Sequence, residues 1–254
     1  MVPRIIPLLL LQKRGLVKGI RFGGHTYIGD PLNAVRIFNK KEVDELVFID
    51  IEATRQARPV SEDFVRQVSD ECYMPFCVGG GIRSLHQIER LLGTGAEKVC
   101  ICSALFEVPG LLHDASRQFG SQSLVAAIDI GPGAHGASEV FIHNGTKSTA
   151  SDPRTAARMV MDAGAGEILL TSIEHDGTRS GFDCSLIRQV ADAVTIPVIA
   201  CGGAGSLEHI KDAIIQGHAS AAALGSMCVF WGNRRAVMIQ YPRKEELTEC
   251  FGSF

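Results

Sequence analysis

Asp129 closes an otherwise apolar run, Leu124-Val-Ala-Ala-Ile-Asp129. A carboxylate at the end of such a strand is partly desolvated, which raises its pKa toward the range useful for proton transfer. Its other reading is a cap or ion-pair partner of the following loop, and the same two readings apply to Asp50 at the end of Leu46-Val-Phe-Ile-Asp50. Beside these acids stand two near copies of a glycine turn, Pro75-Phe-Cys-Val-Gly-Gly-Gly-Ile-Arg-Ser-Leu85 and Pro197-Val-Ile-Ala-Cys-Gly-Gly-Ala-Gly-Ser-Leu207. A shift of 122 residues superposes Gly80 and Gly81 on Gly202 and Gly203, Ser84 on Ser206, and Ile88 on Ile210. Glycine between a strand and a helix lets backbone N–H groups approach a phosphate without obstruction, at the positive end of the helix dipole. Two such turns half a chain apart predict a ligand with a phosphate at each end. Ser103 and Ser226 follow small-residue strands and repeat the pairing as hydroxyl donors, with Gly225 before the second. Thr171, Asp176 and Gly177 complete the set of strand-end residues expected to face this ligand.

The elements that must hold these groups show a βα rhythm. Apolar runs predict strands at 5–11, 46–51, 75–79, 98–102, 124–130, 167–172, 196–201 and 220–225. Helices are predicted from Asp30-Pro31, Ser61, Ser84, around Pro109, and from Asp152-Pro153, Asp183 and Ser206, with a last one near the C-terminus that Pro242 interrupts. Eight βα units with right-handed crossovers close into an α/β fold, a (β/α)8 TIM barrel, with its active site at the C-terminal ends of the strands. The repeat makes it two half-barrels in a single domain, 1–254. The long connections 12–29 and 131–151 predict loops or hairpins over the mouth, at equivalent places in the halves.

Composition narrows the function. A net charge of −3 leaves no basic surface to grip DNA or RNA. The run Ile5 to Leu11 is too short for a membrane span and reads as a buried strand rather than a signal peptide. Eight cysteines without CxxC spacing predict reduced core thiols of a cytoplasmic protein, and the histidines show no ligand-like spacing, so no metal and no cofactor are expected.

Several segments, among them Arg4-Ile-Ile, Leu16-Val-Lys-Gly19, Asp44-Glu-Leu-Val-Phe-Ile-Asp50, Val78-Gly-Gly-Gly-Ile82, Gly164-Ala-Gly-Glu-Ile-Leu-Leu-Thr-Ser172 and Asp176-Gly-Thr-Arg-Ser-Gly181, strongly resemble the HisF family, the cyclase subunit of imidazole glycerol phosphate synthase. The resemblance implies a barrel that takes ammonia from a glutaminase (HisH-like) partner at its N-terminal face and uses it on a bis-phosphate substrate at its mouth. It carries Lys18 over to the substrate site. It carries Arg4, Glu45, Lys98 and Glu167 over to a charged ring that gates ammonia entry.

Two positions depart from that pattern. The family's first catalytic aspartate falls on Leu10, counted either from Arg4-Ile-Ile or from Lys18-Gly, and no acid precedes Asp30 to replace it. Cys102 stands where the cyclases resemble one another in having an asparagine near the first phosphate. An ammonia gate kept and an acid–base pair broken resembles a HisF paralogue of surface-polysaccharide clusters, associated with making acetamidino sugars, as do Arg4-Ile-Ile-Pro-Leu-Leu-Leu-Leu and Tyr27-Ile-Gly-Asp-Pro-Leu-Asn-Ala. There the substrate would be a nucleotide or sugar phosphate, with an ATP-dependent sugar amidotransferase as a further partner. A genuine cyclase of histidine biosynthesis and a non-catalytic ammonia-conducting scaffold stand as the alternatives.

Overall fold

A computed structural model describes residues 3–232 and 234–252. Eight parallel strands are formed by the apolar runs: β1 (Arg4–Gln12), β2 (Leu46–Asp50), β3 (Phe76–Gly79), β4 (Lys98–Ile101), β5 (Leu124–Pro132), β6 (Glu167–Ser172), β7 (Val198–Cys201) and β8 (Ala221–Leu224). Each pairs in parallel with the next, and β8 returns to β1 through Arg4 opposite Ala221, so the sheet closes without an edge. This is the expected (β/α)8 barrel.

Side-chain alternation along the strands makes two cores from one sheet. Ile6, Leu8, Val47, Cys77, Cys100, Val125, Ala127, Leu169, Ile199, Cys201, Ala221 and Ala223 point into the barrel. Ile5, Leu9, Phe48, Val78, Ile101, Ile128, Leu170 and Leu224 point outward beneath the helices. Those helices are α1 (Pro31–Lys40), α2 (Glu62–Glu71), α3 (Leu85–Gly93), α4 (Leu111–Phe119), α5 (Pro153–Asp162), α6 (Cys184–Ala191), α7 (Leu207–Ile215) and α8 (Lys244–Phe251). Asp30, Ser61, Ser84, Asp152, Asp183 and Ser206 each accept a backbone N–H of the first turn, as expected. Each such cap is worth about 1 kcal/mol. Pro242 lies ahead of α8 rather than within it, so it bounds that helix instead of interrupting it.

Both long connections are hairpins. In the first half, Gly15–Ile20 turns back on β1 and pairs with Gly23–Gly29. In the second, Ser138–Ile142 turns back on β5 and pairs with Lys147–Ser148. A third hairpin, Phe230–Trp231 with Ala236–Val237, follows β8 and has no counterpart in the sequence reading. All eight cysteines are unpaired. Among the described residues no helix is long and apolar enough to cross a membrane.

Candidate active site at the barrel mouth

At the closed end of the barrel the four ring residues meet. Arg4 Nη1 and Lys98 Nζ both donate to Glu45 Oε2 at 3.0 Å, and Lys98 Nζ donates to Glu167 Oε2 at 2.9 Å. Arg4 Nη2 completes the circuit on Glu167 Oε1. Arg4, Lys98 and Glu167 begin β1, β4 and β6, and Glu45 directly precedes β2, so the strand starts place them around one axis. Burial alone would lower the Lys98 pKa, but its bonds to Glu167 and Glu45 outweigh that and hold it raised. Desolvation pushes the more buried Glu45 upward even with Lys98 beside it. Two cationic donors share one Glu45 carboxylate oxygen and oppose that rise. The ring therefore joins two basic and two acidic side chains, each bonded to both side chains of the other kind.

Above it the barrel interior is apolar until the mouth, where a cavity opens between Leu10, Ile49, Asp50, Gly80, Gly81, Ser103, Asp129, Thr171 and Asp176. Asp129 is central. Cys102 Sγ donates to its Oδ2 at 3.6 Å, and Thr171, directly opposite on β6, hydrogen-bonds its carboxylate. Desolvation outweighs both bonds and raises its pKa to about 6. The group is therefore divided between acid and base near neutral pH, a condition for donating and accepting protons in one cycle. Cys102 is pushed well above the ordinary thiol range by burial and by the Asp129 charge, so it stays a neutral donor to Asp129.

Asp50 makes three bonds at the end of β2. Its Oδ1 accepts from the N–H groups of Glu52 and Ala53, and its Oδ2 accepts from Arg58 Nη1 at 2.6 Å. Of its two sequence readings, this geometry is that of the turn cap and ion-pair partner, although Asp50 also borders the cavity.

The glycine turns share a backbone and differ in access. Gly80 and Gly81 have φ of 118° and 66°, and Gly202 and Gly203 have 89° and 113°. A Cβ on Gly81 would lie 1.9 Å from the Arg58 carbonyl oxygen, and one on Gly203 would lie 2.0 Å from that of Gly181. Close backbone packing thus demands glycine at both places, independently of any ligand. Only the first turn borders the cavity, together with Ser103, Ala104, Arg83 and Asn144. Ser103 Oγ there accepts from the His143 N–H at 3.1 Å, which ties the second-half hairpin to the end of β4.

Gly177, Gly202, Gly203, Gly225 and Ser226 do not border that cavity. Lys18 is buried and donates to the Leu8 carbonyl at 2.6 Å; desolvation lowers its pKa, against the pull of nearby Asp176. Desolvation likewise raises Asp176, with Lys18 opposing. Ser226 is buried and accepts from Arg235 Nη2 at 3.2 Å, while Arg235 Nη1 donates to the Gly177 carbonyl at 3.2 Å. Sequence reasoning missed Arg235, because it sits in the third hairpin, outside both copies of the repeat. It also passed over Phe22, His25 and Cys201, which line the mouth. A lone histidine in a glycine-rich loop carries no spacing signal.

Comparison with known proteins agrees with this architecture. A family model described as histidine biosynthesis protein matches residues 4–232. The chain is 45% identical to a Pseudomonas aeruginosa protein provisionally named imidazole glycerol phosphate synthase subunit hisF2, over 96% of this chain and 97% of the relative. It is 45% identical to a Leptospira borgpetersenii protein provisionally named imidazole glycerol phosphate synthase subunit HisF, over 98% of each. It is 43% identical to the imidazole glycerol phosphate synthase subunit HisF of Alkaliphilus metalliredigens, over 88% of this chain and 89% of the relative.

Proposed function

This chain belongs to the HisF family of histidine biosynthesis proteins, and on that premise we propose that it is the ammonia-using barrel subunit of a glutamine amidotransferase that acts in acetamidino-sugar formation. The observation that carries the reading is an asymmetry along the barrel axis. The ring of Arg4, Glu45, Lys98 and Glu167 is complete at the base, whereas at the mouth Asp129 of β5 faces the cavity with Leu10, not a second acid, at the matching position of β1. A glutaminase of the HisH type docks at the base, and ammonia passes the ring into the apolar interior. At the mouth it meets a phosphate-bearing substrate held by Gly80, Gly81 and Ser103 at one end and by Gly202, Gly203, Gly225 and Ser226 at the other. Asp129 takes the proton that ammonia sheds on attack and returns it to the leaving group, with Thr171 and Cys102 orienting it. A separate ATP-dependent sugar amidotransferase supplies the activated amide. If closing an imidazole ring needs proton transfers from two facing carboxylates, as the family's first catalytic aspartate implies, Leu10 cannot supply one.

The names of the relatives favour a second reading, a cyclase of histidine biosynthesis that works with Asp129 alone. One reconstitution tests both. A glutaminase of the HisH type from the same organism binds this chain at micromolar concentration, and nitrogen-15 from the glutamine amide appears in an amidino sugar when the activating synthetase is added. A strain lacking the histidine-pathway cyclase stays auxotrophic when it carries this chain, even with excess ammonia. Absence of a glutaminase complex overturns the first reading; growth of the strain establishes the second.

A further inference from the structure

Three cations converge on the second end of the mouth, and the acid Asp176 faces two of them. Arg235 reaches back from the third hairpin, its guanidinium held 4.5 Å from the centre of the Phe230 ring while it donates to Ser226 Oγ and the Gly177 carbonyl at 3.2 Å each. Arg179 lies beside the same hairpin, with Nη1 3.4 Å from the Gly232 carbonyl. Lys18 Nζ lies so near Gly225 that a Cβ there would come within 2.8 Å of it. Asp176 is an opposing charge there, and Lys18 and Arg235 both act on it.

The bonds Arg235 makes go to neutral oxygens, so its charge is not consumed by a carboxylate. Burial, and then the like charge of Arg179, bear on that guanidinium and lower its pKa. A planar fork of donors with unspent positive charge, fixed on an aromatic face, suits a phosphate more closely than a point charge does.

We propose that Arg235 is a specificity-determining residue of the second end, binding a phosphate-type anion between Ser226 and the Gly202-Gly203 turn. The proposal rests on the two-ended reading of the mouth given above. In this scheme the first end relies on backbone amides and is open, while the second adds a full charge and selects a dianion over a neutral or singly charged group. Gly177 joins it through its carbonyl, which fixes the guanidinium rather than touching the ligand.

Titrating inorganic phosphate into the full chain, followed by amide NMR shifts, separates the two ends. In the wild type, phosphate moves the amides of Gly80 and Gly81 and those of Gly202 and Gly203. In Arg235→Gln the response at Gly202 and Gly203 weakens by about ten-fold or more, the size expected for one charge-assisted bond pair, and Gly80 and Gly81 titrate as before. Arg235→Lys falls between, since it keeps the charge without the fork. Trp231, the only tryptophan of the chain, sits on the same hairpin and reports by fluorescence whether the hairpin is in place. Equal affinity at Gly202 and Gly203 in wild type and Arg235→Gln overturns the proposal. So does equal loss in both variants with a shifted Trp231 spectrum, which would make Arg235 a hairpin anchor. A wild-type response at Gly80 and Gly81 alone overturns only the Arg235 assignment, whereas no response at either end overturns the two-ended mouth as well.

Discussion

The two halves of this barrel keep one framework and have divided its chemistry. Leu10 pairs with Ile49 across β1 and β2, and Asp129 pairs with Thr171 across β5 and β6. Ile49 and Thr171 stand 122 residues apart, the period of the repeat, so Leu10 and Asp129 occupy equivalent places. The first half therefore presents two apolar side chains at the mouth where the second presents an acid and a hydroxyl. The glycine turns are divided the other way. The first is open to the cavity, and the second does not border it. Backbone requirements are shared because they serve the fold; side chains diverge where they meet ligand.

The strongest way to break this comparison is to remove the acid opposite Thr171. Asp129→Asn keeps the size and the hydrogen bonding to Thr171 but cannot exchange the proton. Nitrogen transfer, driven by glutamine or by free ammonia, is expected to fall by about 10²–10⁴, with glutamine hydrolysis by the bound glutaminase retained. A fall of less than about five-fold would show that Asp129 is not the acid–base group and that the division between halves lies elsewhere.

A second test asks whether the framework is as symmetric as the backbone suggests. Gly81→Ala and Gly203→Ala each place a Cβ about 2 Å from a main-chain carbonyl oxygen at positive φ. Left-handed backbone alone costs an alanine roughly 1–2 kcal/mol, and the overlap forces the turn to move, for a total on the order of 3 kcal/mol or more. Urea unfolding should give similar losses for the two variants. A difference above about 2 kcal/mol would mean that one turn is held by its surroundings and the other only by itself.

Most of the framework was legible in the sequence, for physical reasons that particular residues illustrate. Caps such as Ser84 and Ser206 announce their helices because the hydroxyl satisfies a backbone N–H that has no helical partner. The strands announce themselves because both their faces are buried, one in the barrel and one under helices. The ring at the base was legible only through resemblance, since a single Glu45 or Lys98 at a strand start looks like any polar cap. At the mouth, Leu10 and Cys102 stood out as departures. Arg235 did not, because its position depends on a hairpin that folds back over β8, and no local spacing encodes that return. For Asp50 the sequence left two readings open, and its partner Arg58 lies in an irregular turn where reach cannot be judged from spacing.

The smallest expected effect is on stability, and it sharpens the contrast between Leu10 and Asp129. Burial raises the Asp129 pKa from 3.8 to about 6 in the folded chain. Below about pH 4 the carboxyl is protonated folded and unfolded alike, and its relative stabilisation of the fold is fully present. As pH rises toward 6 the unfolded chain gives up its proton first, so that contribution is lost, and above about pH 6 the folded state carries a desolvated charge. A shift near two pKa units corresponds to at most about 3 kcal/mol. Asp129→Asn removes the ionisation, so the variant should be more stable than wild type by on the order of 1–3 kcal/mol at pH 8 and nearly equal to it at pH 4, measured by urea midpoints. Leu10 adds no such pH dependence to the first half. If the gain is the same at both pH values, packing rather than charge explains it, and Asp129 is then not the desolvated group that the division of the two halves requires.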